Sequence, residues 1–294
     1  MHTFRITDSG IQVFPRVEVG PHQMPLRLGG AGAKRTPPKR ISIGVEALDK
    51  MLGGGIPAGY SVLLAGPSGS GKSVLATEFI NAGARDGEAA VVAMFEKRPY
   101  QYEQIGQKFE QMVRHKRHKK VGIVQTRPLD LSLDETLHDV IEVIDRLKAT
   151  RLVIDSLSGF ELALAPTFRE DFRESLYRMV DVLTTMGITI LMTAELEDSY
   201  GDLRFSPHGT AFLSDAIVLQ RYIELRGQLK RFMTVVKVRG SAHSKDMRSY
   251  EITDQGIVMG EMLGAYDGLL TGGAMMTRRS ASGTVDRKGR RGRR

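Results

Sequence analysis

The segment Gly66-Pro67-Ser68-Gly69-Ser70-Gly71-Lys72-Ser73 has the residue types and spacing to hold phosphate. Its glycines let successive backbone N–H groups curl round an anion, and a helix starting at Lys72 adds the positive end of its dipole. In this P-loop, or Walker A, pattern Lys72 reaches the β- and γ-phosphates of ATP and the Ser73 hydroxyl holds Mg²⁺. Two carboxylates stand where they can join it. Asp155 ends the apolar run Leu152–Ile154, where an acid orients a magnesium ion or its waters. Glu96 follows the run Ala89–Phe95, where a carboxylate can activate an attacking water. ATP and Mg²⁺ are therefore the expected cofactors, and ATP hydrolysis the expected chemistry.

These residues need a scaffold, and the pattern supplies one. Ser61–Ala65 reads as a buried strand entering the glycine loop and Lys72–Arg85 as the helix leaving it. Strands follow at Ala89–Phe95, Val121–Gln125, Leu152–Ile154 and Ile188–Met192, with helices at Tyr100–Arg114 and Phe168–Met186 between them. Ser132 and Glu135 form a capping box, after which Leu133, Leu137, Val140, Ile141, Ile144 and Leu147 fall on one helical face. From Ala216 the pattern turns strand-rich: Ala216–Leu225 and Lys230–Val238 flank a turn at Arg226-Gly227, and Ser249–Thr253 follows. Alternating β and α units predict an α/β fold: a mostly parallel twisted sheet, helices on both faces, and an antiparallel C-terminal extension. Ligands of such sheets bind beyond the carboxyl ends of the strands, where the glycine loop, Glu96 and Asp155 all lie.

Net charge is +8, but the charge sits at the ends. Residues 278–294 hold eight basic residues and one acid, residues 1–40 seven and two, and the stretch between is mildly acidic. Nucleic acid is thus expected to meet only the basic tail, which reads as a solvated appendage. With no cysteine, disulfides, thiolate zinc sites and thiol catalysis are excluded. No apolar run approaches the ~18 residues of a membrane span and no signal peptide is recognisable, so the cytoplasm is the expected location and no membrane partner is expected.

The boundaries expected are a linker at 21–40, an ATPase domain at 41–262 and a disordered basic tail at 263–294. A short repeat adds one more. Phe4–Ile11 matches Tyr250–Ile257 with five identities and an aromatic pair in eight positions. Residues 1–20 therefore read as the end of a preceding, similar domain.

Ile43–Asp49, Leu52–Gly59, the P-loop, Phe95-Glu96, Val153–Ser158, Lys237–Lys245 and Ile252–Ile257 occur in an order that resembles the KaiC family of RecA-type P-loop ATPases. The resemblance spans roughly residues 41–262 and implies a RecA-like fold, ATPase activity, and hexameric rings with ATP between subunits. It also implies that Lys237 and Arg239, with Lys245, reach the γ-phosphate bound by the neighbouring subunit. As in family members with two tandem copies, it accounts for the repeat, and it implies regulatory protein partners that one chain does not identify.

Two positions depart from the family pattern. Lys97 stands where a second glutamate usually follows Glu96, which leaves one carboxylate to orient water. Aligned on Ser214-Asp215, the phosphorylated Ser-Thr pair of the founding clock autokinase becomes Ala211 and Phe212, which excludes autophosphorylation there. Thr210, Ser206 and Ser214 are the nearby hydroxyls. The expected function is a ring-forming regulatory ATPase, with Ser/Thr autokinase activity implied by the family resemblance alone. The alternatives are a RecA-type DNA-dependent ATPase, which the acidic body disfavours, and a nucleotide-dependent scaffold with little hydrolysis.

Overall fold

The computed structural model describes residues 3–8, 10–15, 38–95, 120–125, 133–163, 172–196, 213–225, 227–262, 266–267 and 275–276. A hairpin of β1 (Thr3–Thr7) and β2 (Gly10–Phe14) comes first. Next, β3 (Arg40–Ile41) and β4 (Ile56–Pro57) pair antiparallel around α1 (Glu46–Met51). The central elements are β5 (Ser61–Gly66), α2 (Lys72–Arg85), β6 (Ala89–Met94), β7 (Val121–Gln125), α3 (Leu133–Leu147), β8 (Ala149–Asp155), α4 (Leu157–Ala163), α5 (Phe172–Thr185) and β9 (Thr189–Glu195). The chain then turns strand-rich, with β10 (Ala216–Leu225), β11 (Gln228–Val238), β12 (Met247–Thr253) and β13 (Gly256–Met262).

One nine-stranded sheet has the order β13-β12-β11-β10-β5-β9-β8-β6-β7. The strands from β10 through β7 are parallel neighbours, and β10 to β13 are joined antiparallel. Period-two alternation divides each central strand between two cores. Leu63, Ala65, Val91, Leu152 and Ile190 face the core built with α3, α4 and α5. Val62, Leu64, Val92, Val153 and Leu191 face the core built with α1 and α2. The expected face of α3 holds: Leu133, Leu137, Val140 and Ile144 are buried, with Ile141 and Leu147 packed against them. On α5, Leu176, Met179, Val180 and Leu183 are buried, while Met186 lies beyond the helix and is exposed. No helix among the described residues is long and apolar enough to cross a membrane.

Two described features lie at the expected boundaries. Arg40, at the end of the stretch expected as a linker, is a strand residue whose guanidinium donates to the Leu52 and Gly55 carbonyls at 3.0 and 2.7 Å and to Ser241. A charged side chain with that many acceptors at hand is fixed whatever its neighbours' composition. At the other end, Tyr266–Asp267 pairs with Met275–Met276, so the stretch after 262 is not featureless. Its apolar and aromatic residues precede the basic run, which begins at Arg278. Residues 21–37 and 277–294, Ser132, and the helix expected at Tyr100–Arg114 lie outside the described residues.

Arg151 ties the lower edge of the sheet to the helix layer. Its side chain is 1% exposed, donates to Glu88 at 2.7 Å and to the Ser42 and Phe79 carbonyls at 2.8 and 2.9 Å, and covers the Phe79 ring. Burial alone would raise the Glu88 pKa, but hydrogen bonds and charge from Arg151 and Lys39 outweigh it, and the net shift is downward. Replacing Arg151 by Met leaves Glu88 Oε2 and two carbonyls without their donor, with only Lys39 still paired to Glu88, and chemical denaturation should register a loss of about 3–5 kcal/mol. Because the folded-state pKa of Glu88 is lowered, its contribution is present at neutral pH and lost as pH falls through that value. Arg151→Met should therefore also flatten the acid side of the stability profile.

Candidate nucleotide site

All six residues of β5 are buried, and the strand delivers the chain to Gly66 at the carboxyl edge of the sheet. From there to α2 the loop is shaped by strands on its flank. A Cβ at Gly66 would lie 2.8 Å from the Gln220 Cβ, so β10 admits only glycine there. Gly71 caps α2 with φ +98°, a conformation other residues rarely adopt. Ser70 donates to Gln220 at 3.0 Å and is fully buried, and its carbonyl accepts from the Tyr250 hydroxyl. Burial raises the pKa of that phenol and keeps it a donor. The hydroxyl of Tyr222 and the side chain of Ile252 close on Gly69 and Gly71. The loop is thus held by β10 and β12 before any ligand meets it.

Lys72, Ser73 and Asp155 converge at this loop. Lys72 Nζ donates to the Gly66 and Pro67 carbonyls, both at 2.8 Å. Ser73 Oγ donates to Asp155 Oδ2 at 2.9 Å, and Thr193 Oγ1 to Asp155 Oδ1 at 2.6 Å. Asp155 is 4% exposed, so these hydroxyls fix both its oxygens from the α2 and β9 sides. Thr193 was not singled out in the sequence, though a polar residue inside the apolar run of β9 is a usable signal. Glu195, two residues further on the same strand, pairs with Gly66 at the rim of the loop. Glu96 and Lys97 lie outside the described residues, but Met94 pairs with Asp155, so β6 ends at the level of that acid.

Lys237, Arg239 and Lys245 are not brought to this loop. β11 runs antiparallel to β10, and β10 parallel to β5, so β11 ends where β5 begins. Arg239 N–H donates to the Asp215 carbonyl at 2.7 Å, and Asp215 N–H to the Ser61 carbonyl at 2.8 Å. Five strand steps, on the order of 16 Å, separate that level from Gly66. Arg239 is 62% exposed and pairs with Asp215 Oδ1 at 3.0 Å, while Asp215 Oδ2 accepts from Ser61 N–H and Oγ. Burial first, and the Arg239 charge second, push the Lys237 ammonium below its ordinary pKa, with Asp215 opposing. Lys245 is exposed in the segment between β11 and β12. Of the hydroxyls near Ala211 and Phe212, Ser214 is fully buried and Ser206 and Thr210 lie outside the described residues, as do Ala211 and Phe212 themselves.

An open cavity of about 580 Å³ is lined by Lys230, Arg231, Tyr250 and Ile252 among others. Tyr250 and Ile252 also touch the glycine loop, so the cavity opens beside it. Tyr250 and Ile252 were noted in the sequence only as part of the repeat and the family pattern, and Arg231 was not singled out, since on β11 it reads as one more charge on an amphipathic strand.

Residues 41–263 match the family described as "ATPase: KaiC". A circadian clock protein KaiC3 of Synechocystis is 31% identical over 257 residues, covering 85% of this chain and 50% of the relative. A circadian clock oscillator protein KaiC of Picosynechococcus is 30% identical over 275 residues, covering 92% of this chain and 50% of the relative. The chain thus spans about half the length of these relatives. A solved KaiC-like protein of the hyperthermophilic archaeon Pyrococcus horikoshii superposes with a TM-score of 0.69 at 29% identity, over 76% of this chain and all of that one. With its RecA-like sheet and P-loop geometry, this chain belongs to the KaiC family of ATPases.

Proposed function

We propose that the chain binds ATP with Mg²⁺ at Gly66–Ser73, hydrolyses it, and does so in a homo-oligomeric ring, a hexamer by family resemblance, whose sites are shared between neighbours. The observation that carries this reading is the split of the expected site. Lys72, Ser73 and Asp155 meet at one edge of the sheet, whereas Lys237 and Arg239 stand at the opposite edge of the same strands. Two cations that far from their own P-loop do not reach its γ-phosphate, which supports a role at the nucleotide of another subunit.

In this reading the N–H groups from Gly66 to Ser73 hold the phosphates, Pro67 and Ser68 shape the turn, and Lys72 exchanges carbonyls for the β- and γ-oxygens. The Ser73 hydroxyl and Asp155 carboxylate, 2.9 Å apart, are hard oxygen donors that suit Mg²⁺, an ion that keeps several waters and bridges to phosphate. When bound, the ion neutralises charge on the β- and γ-phosphates. Glu96 orients the attacking water. The neighbour's Lys237, Arg239 and Lys245 balance the charge that builds on the γ-phosphoryl group. The base lies toward the cavity lined by Arg231 and Ile252. Regulatory proteins docked on the ring are the expected readers of its nucleotide state.

Phosphate release from the purified chain should need Mg²⁺ and fall by roughly 10²–10³ in kcat for Glu96→Gln and for Asp155→Asn. Lys72→Ala should lose ATP binding as well, read with a fluorescent ATP analogue. Unchanged phosphate release in Glu96→Gln would leave ATP binding without catalysis by this residue. Arg231→Ala should raise KM for ATP with little change in kcat, and a pure kcat effect would place the base elsewhere.

A further inference from the structure

The segment that carries Arg239 and Lys245, residues 239–246, joins β11 to β12 with no strand or helix of its own. Its shape therefore comes from what it is tied to. The Tyr60 hydroxyl donates to the Arg239 carbonyl at 3.2 Å, and Ser244 N–H donates to the Met51 carbonyl at 2.7 Å. Between these two ties, a Cβ at Gly53 would lie 2.6 Å from the Ala242 carbonyl oxygen, so the segment crosses directly over the turn that follows α1.

Arg40 joins the turn to the segment. Its Nη1 donates to the Leu52 and Gly55 carbonyls, and its Nη2 to Ser241 Oγ in the middle of the segment, 201 residues away in sequence. The turn closes without it: Gly53 N–H donates to the Lys50 carbonyl at 3.1 Å, and Gly54 and Gly55 N–H donate to the Asp49 carbonyl at 2.8 and 3.0 Å. What the guanidinium adds is the bond across to Ser241. A rigid planar fork suits acceptors on two separate stretches of chain, which a lysine ammonium on a flexible stem does not reproduce.

We propose that Arg40 is a positioning residue for the cations that serve the neighbouring subunit's nucleotide: by holding Ser241 it sets the direction in which Arg239 and Lys245 leave the lower edge of the sheet. The proposal rests on the shared-site reading above. Arg239 and Lys245 are both exposed, on a stretch whose backbone has no ladder to fix it, so their direction depends on such ties. Asp215 holds Arg239 at one end of the segment, and Arg40 holds the part that leads on to Lys245. Misplacing a charged group by about 1 Å can cost roughly 10²-fold in rate, so a residue that touches no substrate can still set it. Through Ser241, Arg40 acts at the level of Arg239, the edge away from its own glycine loop.

Arg40→Met in the full chain keeps the apolar stem and removes every donor. Without nucleotide, limited trypsin digestion read by mass spectrometry should cleave after Arg239 and Lys245 at least about threefold faster in this variant, relative to cleavage elsewhere in the chain. Phosphate release should fall about 10–100-fold in kcat, with KM for ATP changed by no more than about twofold, because the variant's own P-loop is untouched. Mixing then tells which site Arg40 serves. Arg40→Met mixed with Lys72→Ala should restore phosphate release above the sum of the two alone, and mixed with Arg239→Ala it should not. Unchanged cleavage, unchanged kcat, or restoration by Arg239→Ala instead of Lys72→Ala each overturns the proposal. Where Arg40→Met fails to fold, Ser241→Ala cuts the same bond from the other side and is judged by the same outcomes. The mixture of Lys72→Ala with Arg239→Ala is the control. Additivity there defeats the shared site and this proposal with it, whereas restoration there without restoration for Arg40→Met defeats the role of Arg40 alone.

Discussion

Strand direction is the constraint on which the rest of this structure depends. A parallel ladder from β10 to β7 brings every carboxyl end in that ladder to one edge, and the P-loop and Asp155 stand there because a ligand can reach them nowhere else. The turn at Gly227 reverses the chain, so β11 carries Lys237 to the other edge. No rearrangement of side chains alone moves those cations across the sheet. In the proposed ring a second subunit, its lower edge against the first one's upper edge, would bring the halves together.

Within the upper edge the order is set by packing as much as by charge. Gln220, Tyr222, Tyr250 and Ile252 hold the glycine loop from one side, and Asp155 is held between Ser73 and Thr193 on the other. A loop fixed in this way gives up little conformational freedom when phosphate binds, which favours affinity. At the lower edge Asp215 has the matching task. Its two oxygens join Arg239 to the first residue of β5, so the exposed guanidinium is tethered to the strand that leads to the P-loop.

Much of this was legible in the sequence, and the reason differs from residue to residue. The P-loop, Asp155 and the face of α3 are local patterns, and the RecA-like architecture follows from the alternation of strand and helix. The separation of Lys237 from its own P-loop is not local, since it depends on which strand β11 pairs with. Thr193, Arg231 and Tyr222 act through neighbours distant in the chain, and their types alone carry no chemistry. Arg40 looked like a linker residue because Pro and Gly precede it, yet its acceptors come from the turn after α1. Glu96, the carboxylate expected to orient the attacking water, lies outside the described residues. The repeat of Phe4–Ile11 was visible as identity, and both copies are hairpins, β1–β2 and β12–β13.

The central claim is that each site takes Lys72 from one subunit and Arg239 from the next. Mixing chains that carry Lys72→Ala with chains that carry Arg239→Ala tests it most directly, because each is deficient alone. Sites that combine an intact P-loop from one with an intact Arg239 from the other should restore phosphate release well above the sum of the separate activities. Strict additivity at every mixing ratio, with both variants assembled together by light scattering, would contradict a shared site.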